Sequence, residues 1–549
     1  MGEQLMSPAP VKWGDSDKRI EAPEAFIMFL REVLGLEDAE PKPYPDPAEV
    51  EIPPTALTDK DRTALSEIVG KDNVAADHDT RLKHSIGKSY LDLVRYCSGS
   101  LDRAPDAVIF PETAEQVAGI LKWADETSRA VVPFGGGTSV VGGLEPTREG
   151  IALSMRRINR VVEVDQVAKT VRVEPGVTGP ELEEKLEEFN LTLGHFPQSF
   201  EFSTVGGWIA SRSAGQQSTL YGKIENLVIA QRVITPSGEI QTLETPAEAM
   251  GPDIDQVFCG SEGTLGVIVE ALLRTYPLPQ KRIFSCGLFR DFKNGVETIR
   301  ELMQEGLRPA IVRLYDQEET SAQGVMSGHP NNMSRRAKRW VANLRLRAQG
   351  MRPGSTCLLL LGFEGTHLHT QQQSQHADRI MAMHEGMPLG HIPGEHWFRA
   401  RFDLPYIRDD LIQRGAMVDT LETSATWGKL HELHQDLSAA IQTALEANSP
   451  GGMVLSHLSH AYPEGASLYF TFLARALRGE EDTQWRQVQS AAMEVILRHG
   501  AAVSHHHGIG RLHSAYFTKQ VGKIHMDILR SIKSATDPGG VMNPGKLGL

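Results

Sequence analysis

The chain has 549 residues, a length that exceeds one hydrophobic core and predicts two or three domains. A formal net charge of −14 argues against a general nucleic-acid-binding protein, so we expect no nucleic-acid partner. Four scattered cysteines without a CxxC pair argue against a zinc ribbon and fit a reducing compartment. No signal-peptide pattern or membrane-length apolar run occurs, so we expect a cytoplasmic protein or one bound peripherally to a membrane.

Residues 1–100 are predicted to form a helical N-terminal arm and a linker. An amphipathic helix is expected over Glu24–Leu34. It is followed by residues 41–54, which contain six prolines and are typical of a stiff linker or a wrapping arm.

Strands and helices alternate over residues 101–280, which predicts a first domain of the α+β or α/β class. Thr113 has capping-box spacing and opens a predicted helix that continues through Trp123. Residues 180–189 predict a helix with proline in its first turn. Strands are expected at residues 107–110, 130–133, 161–164 and 170–173.

Long helices and apolar strands over residues 281–500 predict a second α+β domain. Its candidate strands are residues 310–314, 356–363 and 467–472. Residues 501–549 are expected to form a C-terminal segment that packs back on the first domain and includes a helix ending near Ala535.

A glycine-rich loop follows the strand predicted at residues 130–133. It reads PFGGGTS over residues 133–139. Consecutive glycines free the backbone, and their N–H groups can converge on an anion such as a diphosphate. The spacing matches neither a P-loop nor a dinucleotide-binding GxGxxG motif. Taken alone, the loop fits an ordinary turn equally well.

Three further segments have the same character. They read PQSFEFSTVGG over residues 197–207, YGKIENLV over residues 221–228, where a turn leads into a predicted strand, and GSEGTLGVI over residues 260–268. Each alone is a turn, but their order within one stretch of chain is specific.

On these segments the chain resembles the vanillyl-alcohol-oxidase/p-cresol-methylhydroxylase superfamily of FAD proteins. Within it, the chain is most similar to the alkyldihydroxyacetonephosphate synthase family of ether-lipid synthesis. Further motifs that carry the resemblance are LPYIRD at residues 404–409, LETSATW at residues 421–427 and SHHHGIG at residues 504–510. The resemblance implies a two-part FAD-binding domain, an α+β cap that binds substrate, and a helical N-terminal arm.

The resemblance implies which residues bind FAD. One group would hold the diphosphate, a second would line the isoalloxazine and ribityl portions, and a third would bind the adenosine half. These are, in turn, Pro133, Phe134, Gly135, Gly136, Gly137, Thr138 and Ser139; Pro197, Ser199, Phe202, Ser203, Thr204, Gly207, Ser211, Ser213 and Ala214; and Glu262, Gly263, Thr264, Gly266, Val267 and Ile268. Because the glycine loop contains no histidine, we expect FAD to be bound non-covalently.

Two arginines are candidate substrate-site residues. The resemblance implies that Arg408 binds the substrate phosphate, and a guanidinium suits phosphate oxygens. Taken alone, Arg408 fits an ion pair with Asp409 or Asp410. Arg313 lies in an apolar strand, where a charge must be paired or functional. The resemblance implies a role for Arg313 in activity near the flavin.

Tyr469 lies in a strand whose side chains alternate between two faces. Leu468, Phe470 and Phe472 share one face, and Tyr469 and Thr471 share the other. A core tyrosine is the usual outcome for such a pattern, whereas the resemblance implies that Tyr469 is the general acid/base.

Four histidines complete the candidate catalytic set. His505, His506 and His507 follow an apolar run and are expected to be extended, with His506 facing away from the other two. Three adjacent side chains on a strand cannot converge on one ion, so we expect no metal site and interpret them as acid/base and phosphate-binding groups that titrate near neutrality. The resemblance adds His195, for which a structural role is the alternative.

The main alternative is an FAD-linked 2-hydroxy-acid dehydrogenase or alcohol oxidase. Such dehydrogenases resemble the chain in the FAD domain, but they carry HxGDGNxH in the cap and EHGIG near the end. Here residues 457–465 read HLSHAYPEG and residues 506–510 read HHGIG. The missing GDGN element and the histidine in place of glutamate favour the synthase.

The implied reaction exchanges the acyl group of 1-acyl-dihydroxyacetone phosphate for a long-chain alcohol through a flavin N5 adduct, without net oxidation. Its partners are a lipid-phosphate substrate and a fatty alcohol. Seven basic and no acidic residues run from Arg335 to Arg352. That run fits contact with anionic lipid headgroups or a solvated helix face, and both interpretations stay open. We also expect a homodimer.

Overall fold

The computed structural model describes residues 12–14, 18, 20–36, 41–326, 351–352, 354–449 and 451–549. The basic run at residues 335–352 lies outside the described residues, apart from Met351 and Arg352. Helices and sheets are mixed throughout, which confirms the expected α+β class. Within the described ranges, every helix is too short or too polar to cross a membrane.

The N-terminal region is helical and packs on the rest of the molecule. The predicted amphipathic helix spans Glu24–Leu34 and buries Phe26, Leu30 and Leu34 against apolar residues of the cap. Burial of this apolar face, rather than propensity, stabilises so short a helix. Further helices and turns are Pro47–Glu49, Asp59–Val69, Lys71–Asn73, His78–Lys83 and Tyr90–Cys97.

The domain that the resemblance expects to bind FAD is called the FAD-type domain from here on, and its first part is a four-stranded sheet. Its strands, in spatial order, are Val74–Ala75, Ala107–Ile109, Gly150–Ser154 and Ala130–Phe134. The last three are parallel and are buried, as expected for parallel strands. Helix Ala114–Thr127 covers the sheet, and Thr113 caps it by accepting a hydrogen bond from the Gln116 N–H.

The second part is a five-stranded antiparallel sheet. Its strands, in spatial order, are Val161–Asp165, Thr170–Val173, Val267–Arg274, Val228–Thr235 and Gly238–Gln241. A small ladder joins Leu191–Thr192 and Tyr276–Pro277. Short helices pack on the sheet at Gly179–Glu187, Val205–Ser211, Ser218–Tyr221, Ile224–Leu227 and Ile254–Phe258.

One local prediction in this part is wrong. The sequence predicts that the apolar residues after Tyr221 enter a strand, but Ile224–Leu227 form a helical turn before the strand starts at Val228. The Asn226 side chain caps this turn by accepting a hydrogen bond from the Lys223 N–H at 3.0 Å, which favours the turn over an extended backbone.

The cap is a seven-stranded antiparallel sheet with helices. In spatial order its strands are Met387–Gly390, Lys281–Phe289, Cys357–Gly365, Ile311–Tyr315, Gly452–Ala461, Gly465–Arg475 and Ala416–Thr426. Its helices are Phe292–Gln304, Gln317–Met326, His367–Met383, Ile392–Ala400, Leu404–Gln413, Trp427–Asn448 and Glu481–His499.

The two faces of the cap sheet differ in character. Leu468, Phe470 and Phe472 are buried in the main core beneath the long helices. Tyr469 and Thr471 project from the opposite face into a cavity. The alternation expected from the sequence is therefore confirmed, and it gives the cavity one wall.

The C-terminal segment joins the two domains. Residues 501–513 form an irregular loop before a helical stretch, Ser514–Thr536, that is interrupted at Gly522. The tail then returns to the FAD-type domain, where Met542 forms a parallel bridge to Val131. This path carries the three adjacent histidines between the domains.

Candidate functional site

A cavity of about 440 Å³ lies between the FAD-type domain and the cap. The predicted glycine-rich segments form one side of it, and the inner face of the cap sheet forms the other. Of the 22 predicted cofactor-binding residues, all except Phe202 and Thr264 line this cavity. Thr264 is fully buried and donates to the Ser261 carbonyl instead.

The glycine loop is packed tightly against the segment that follows Pro197. A Cβ at Gly136 would overlap the Phe202 carbonyl oxygen, and a Cβ at Gly135 would overlap the Thr204 hydroxyl. Gly137 has φ 69°, which favours glycine. Only residues without a side chain allow this approach, so the three glycines are required by the fold.

The same loop offers unsatisfied donors to the cavity. Among the described residues, the N–H groups of Gly136, Gly137 and Thr138 donate no hydrogen bond. Backbone N–H groups are strong donors that native structures normally pair, and successive unpaired donors at a cavity suit an anion. These residues therefore fit the diphosphate of FAD.

The segment after Pro197 holds its shape through its own hydroxyl groups. Ser203 accepts a hydrogen bond from the Trp208 indole N–H at 2.6 Å and donates to the Ser199 carbonyl at 2.8 Å. Thr204 caps helix Val205–Ser211. These hydroxyls support the wall of the cavity, whereas the N–H groups of the glycine loop are available to a ligand.

Glu262 has a structural partner that its motif did not indicate. Its carboxylate accepts hydrogen bonds from the N–H groups of Ile509 at 2.6 Å and Gly510 at 2.7 Å. Burial raises the pKa of Glu262 to about 7. The side chain thus ties the C-terminal loop to the FAD-type domain.

Tyr469 lies at the centre of the cap wall. Its ring stacks on His457 with centroids 5.0 Å apart and lies 5.6 Å from the ring of His507. Burial raises the pKa of Tyr469 to about 12, so the phenol is protonated and able to donate near neutral pH.

The three adjacent histidines form a cluster, and the predicted alternation is wrong. Nδ1 of His505 lies 2.9 Å from Nδ1 of His506, and the rings of His506 and His507 are 4.6 Å apart. The reason is that the backbone bends around the buried carboxylate of Glu422, which accepts hydrogen bonds from all three N–H groups. His506 and His507 line the cavity, whereas His505 lies behind them.

The protonation of these histidines also differs from the expectation. Burial lowers the pKa of His505 and His506 well below 6.5, and it lowers the pKa of His507. Burial alone would raise the pKa of Glu422, but the attraction of the carboxylate for any proton carried by His506, His507 or His505, together with the hydrogen bond from the Ser504 hydroxyl, holds it well below 4.5. The cluster therefore presents neutral imidazoles above a buried anion rather than groups titrating near neutrality.

His195 does not reach the cavity. Its side chain is fully buried, and its ring packs 4.9 Å from that of Trp208. Burial lowers the pKa of His195 to about 3. Neither ring nitrogen has a partner among the described residues. The structure therefore does not bring His195 together with the other candidate catalytic residues.

Arg313 is one member of a buried polar group on the cap wall. Its Nη2 lies 3.3 Å from Nδ1 of His457, and the Glu319 carboxyl lies 2.9 Å from the same nitrogen. Burial raises the pKa of Glu319 to about 7. Arg313 Nε has no hydrogen-bond partner among the described residues. All three side chains line the cavity.

Arg408 makes an ion pair, as its sequence context suggests, and it also faces the cavity, as a phosphate-binding residue would. Nη2 lies 3.5 Å from Oδ1 of Asp409, and Nη1 donates to the Lys88 carbonyl at 2.8 Å. However, the guanidinium is largely buried and lines the cavity. Nε and Nη2 make no hydrogen bond to any described residue. A buried, incompletely satisfied guanidinium facing a cavity suits an anionic ligand.

Several residues that line or support the cavity cannot be assigned a role from the sequence. Glu422 lies in the LETSATW motif and His457 begins the stretch HLSHAYPEG, but neither pattern assigned these side chains a role. Glu319 lies in a polar helix and gave no signal. His460 lies at a β-bulge with φ 50°, and its Nδ1 contacts the Ser218 hydroxyl at 2.7 Å. Bulges commonly re-aim side chains beside active sites, but a bulge cannot be recognised from this sequence pattern.

Comparison with known proteins agrees with this geometry. Residues 105–244 match a family model described as an FAD binding domain, and residues 278–547 match one described as the C-terminal domain of FAD linked oxidases. The predicted cofactor is thus supported by two independent segments of the chain.

Individual relatives narrow the assignment. The chain is 34% identical over 505 residues to an alkyldihydroxyacetonephosphate synthase of Trypanosoma brucei brucei, covering 90% of this chain and 82% of the relative. A solved alkyldihydroxyacetonephosphate synthase superposes with a TM-score of 0.84 at 27% identity, covering 97% of this chain and 98% of that one.

A more distant structure has the same fold. p-Cresol methylhydroxylase superposes with a TM-score of 0.69 at 17% identity, covering 90% of this chain and 98% of that one. The fold expected from the glycine-rich segments is thereby confirmed. With a two-domain FAD-type cavity and this degree of similarity along nearly its whole length, the chain belongs to the alkyldihydroxyacetonephosphate synthase family of FAD-dependent enzymes.

Proposed function

We propose that the protein is an FAD-dependent transferase that converts 1-acyl-dihydroxyacetone phosphate and a long-chain alcohol into 1-alkyl-dihydroxyacetone phosphate and a fatty acid. In this exchange the acyloxy C1–O bond breaks, and the alcohol oxygen forms a new bond to C1. No net electrons are transferred. The observation that carries the proposal is the cavity, which joins the glycine loop, whose N–H groups donate to no described residue, to Arg408 and Tyr469.

Arg408 is the proposed anchor for the substrate phosphate. Among the residues that the structure describes, none forms a hydrogen bond with its Nε or Nη2, and its position is fixed by Asp409 and by the Lys88 carbonyl. A permanently charged, planar donor group placed in this way binds phosphate oxygens with defined geometry.

Tyr469 is the proposed proton donor and acceptor. The buried phenol has its proton near neutral pH, and the neutral rings of His506 and His507 beside it can accept or pass on a proton. Bound FAD would supply the electron-deficient ring against which the substrate is held. The residues of the chain would orient the substrate and move protons at C1 and at the hydroxyl groups.

An apolar extension of the cavity suits a long hydrocarbon chain. Its lining residues come from the N-terminal arm and from the cap, and they are Trp13, Phe26, Ala322, Met326, Ile407, Leu411, Val418, Leu455 and Leu473. Burial of methylene groups stabilises a bound chain by about 0.8 kcal/mol each. This lining supports a lipid substrate over a small hydroxy acid.

Three further properties belong to the same proposal. FAD is bound non-covalently, because the glycine loop has Thr138 and no histidine. Basic residues 335–352 contact anionic headgroups at a membrane surface. The enzyme acts in the cytoplasm as a homodimer.

The cofactor and the reaction are tested together by flavin spectroscopy. Acid precipitation should release yellow flavin into the supernatant, whereas flavin retained in the pellet would contradict non-covalent binding. Anaerobic mixing with acyl-dihydroxyacetone phosphate should bleach the flavin without an electron acceptor. Acceptor-dependent oxidation of a 2-hydroxy acid would instead support the dehydrogenase alternative.

A further inference from the structure

The loop that carries the three histidines is held by an unusual set of hydrogen bonds. Within residues 505–510, five backbone N–H groups donate to just two buried carboxylates. One carboxylate comes from the cap and the other from the FAD-type domain, so the loop is fastened to both halves of the molecule.

Glu422 holds the first half of the loop. It lies on strand Ala416–Thr426 directly opposite Tyr469 in the neighbouring strand. Its two oxygens accept hydrogen bonds from the N–H groups of His505, His506 and His507 at 2.5, 3.0 and 2.8 Å, and from the Ser504 hydroxyl at 2.7 Å.

These four donors explain why the side chain is tolerated as a buried anion. Glu422 is 2% exposed, and a buried carboxylate is costly unless it is hydrogen-bonded or paired. Ligand atoms of Glu422, His505 and His506 lie within 4.8 Å of one another and could hold a metal ion, contrary to the expectation that adjacent histidines cannot converge on one ion. The four hydrogen bonds account for the placement of the Glu422 carboxylate without one.

Glu262 holds the second half of the loop. Its two oxygens accept from the N–H groups of Ile509 and Gly510. Gly508 and Gly510 have φ 89° and 51°, and the resulting bend turns successive N–H groups towards the carboxylates. The Lys223 ammonium also fastens the loop by donating to the His505 carbonyl at 2.7 Å.

We propose that Glu422 and Glu262 are positioning residues that together fix the His505–His507 loop against Tyr469, with one carboxylate supplied by each domain. Neither carboxylate needs to touch the substrate for this purpose. The backbone bonds define where the rings of His506 and His507 lie, and the rings contact Tyr469. The relative placement of the two domains thereby sets the geometry of the proposed proton-transfer groups.

Hydrogen–deuterium exchange with residue-level resolution tests the clamp in the FAD-loaded full-length protein. Glu422→Gln replaces an accepting oxygen by a donor, so amides 505–507 should exchange about tenfold faster or more. Glu262→Gln should have its largest effect at amides 509 and 510. Ser504→Ala removes only one hydroxyl and should fold normally, while still accelerating exchange at amides 505–507.

Glu364→Gln is the matched control, because Glu364 is a buried carboxylate in the same cap sheet that pairs with Arg282 and Tyr221 instead. It should leave exchange at residues 505–510 unchanged. Unaltered exchange there in Glu422→Gln, or in Ser504→Ala where Glu422→Gln does not fold, would overturn the proposal.

Turnover provides a second readout. Misplacing the rings should lower kcat by about 100-fold in Glu422→Gln with little change in KM. Hydrogen exchange reports on the loop itself and does not depend on the proposed function, on which the turnover effect rests. If the wild-type protein did not exchange the acyl group for the alcohol, the proposed function would be rejected. The hydrogen-exchange rates of amides 505–510 would still test whether Glu422 and Glu262 hold the loop.

Discussion

At the scale of single residues, Tyr469 is the proposed proton donor and acceptor, so its substitution should have the largest effect on the reaction. Tyr469→Phe deletes one hydroxyl and preserves the ring that stacks on His457. We expect turnover to fall by about 10²–10⁴-fold, the usual loss for a positioned acid/base group, with unchanged flavin content. Steady-state kinetics and a flavin spectrum measure both quantities.

The matched control is Tyr276→Phe, because the Tyr276 hydroxyl donates to the Tyr221 carbonyl and does not line the cavity. That variant should retain turnover. Near-normal activity in Tyr469→Phe would remove the tyrosine from the centre of the chemistry.

Arg408 is proposed to bind the substrate phosphate without contributing to FAD binding, and the two effects can be measured separately. Arg408→Lys keeps the charge but loses the planar pair of donors, so we expect KM for the phosphorylated substrate to rise about tenfold or more. Affinity for FAD should be unchanged. Arg414→Lys serves as control, because Arg414 ends the helix that carries Arg408 and pairs with Asp410. An unchanged KM in Arg408→Lys would argue against a phosphate site there.

At the scale of elements, the contact between the glycine loop and the segment after Pro197 is the feature most sensitive to substitution. Gly136→Ala places a methyl group on the Phe202 carbonyl oxygen, so one of the two segments must move. We expect the purified variant to lose most of its FAD while retaining the cap fold. Flavin content per chain and circular dichroism distinguish these outcomes.

Gly428→Ala provides the comparison for that substitution, because a Cβ at Gly428 meets no atom within 4 Å. Full flavin occupancy in both variants would show that the loop does not need its close approach to bind the cofactor.

The sequence predicted those elements whose cause is local. The alternation of side chains along the strand correctly predicted that Tyr469 and Phe470 lie on opposite faces of the sheet. Consecutive glycines indicated the anion-binding loop. Both signals depend only on neighbouring residues. The conformation of His505–His507 could not be predicted, because it is set by Glu422 and Glu262, which are distant in the chain. The burial of His195 likewise follows from packing of Trp208 and its surroundings.

At the scale of the whole molecule, buried carboxyl groups couple stability to pH. Glu319 has its pKa raised from 4.5 to about 7 by burial. Between these values the unfolded chain has released the proton and the folded chain has kept it, so stability falls as pH rises. The loss from this group is complete near pH 7 and amounts to roughly 3 kcal/mol.

Glu319→Gln cannot ionise, so its free energy of unfolding should fall less steeply between pH 5 and 7 than that of the parent protein. Urea denaturation at several pH values, with both proteins measured in parallel, gives the two slopes. Identical slopes would show that Glu319 does not hold a proton in the folded state.

The central claim is that the two domains enclose a site for acyl-to-alkyl exchange without net oxidation. The most direct test incubates the FAD-loaded protein anaerobically with 1-acyl-dihydroxyacetone phosphate and an isotopically labelled long-chain alcohol. We predict that the label, including the alcohol oxygen, appears in 1-alkyl-dihydroxyacetone phosphate in equal amount to released fatty acid, with no electron acceptor consumed. Absence of labelled ether product, together with acceptor-dependent oxidation of an alcohol or hydroxy acid, would contradict this account.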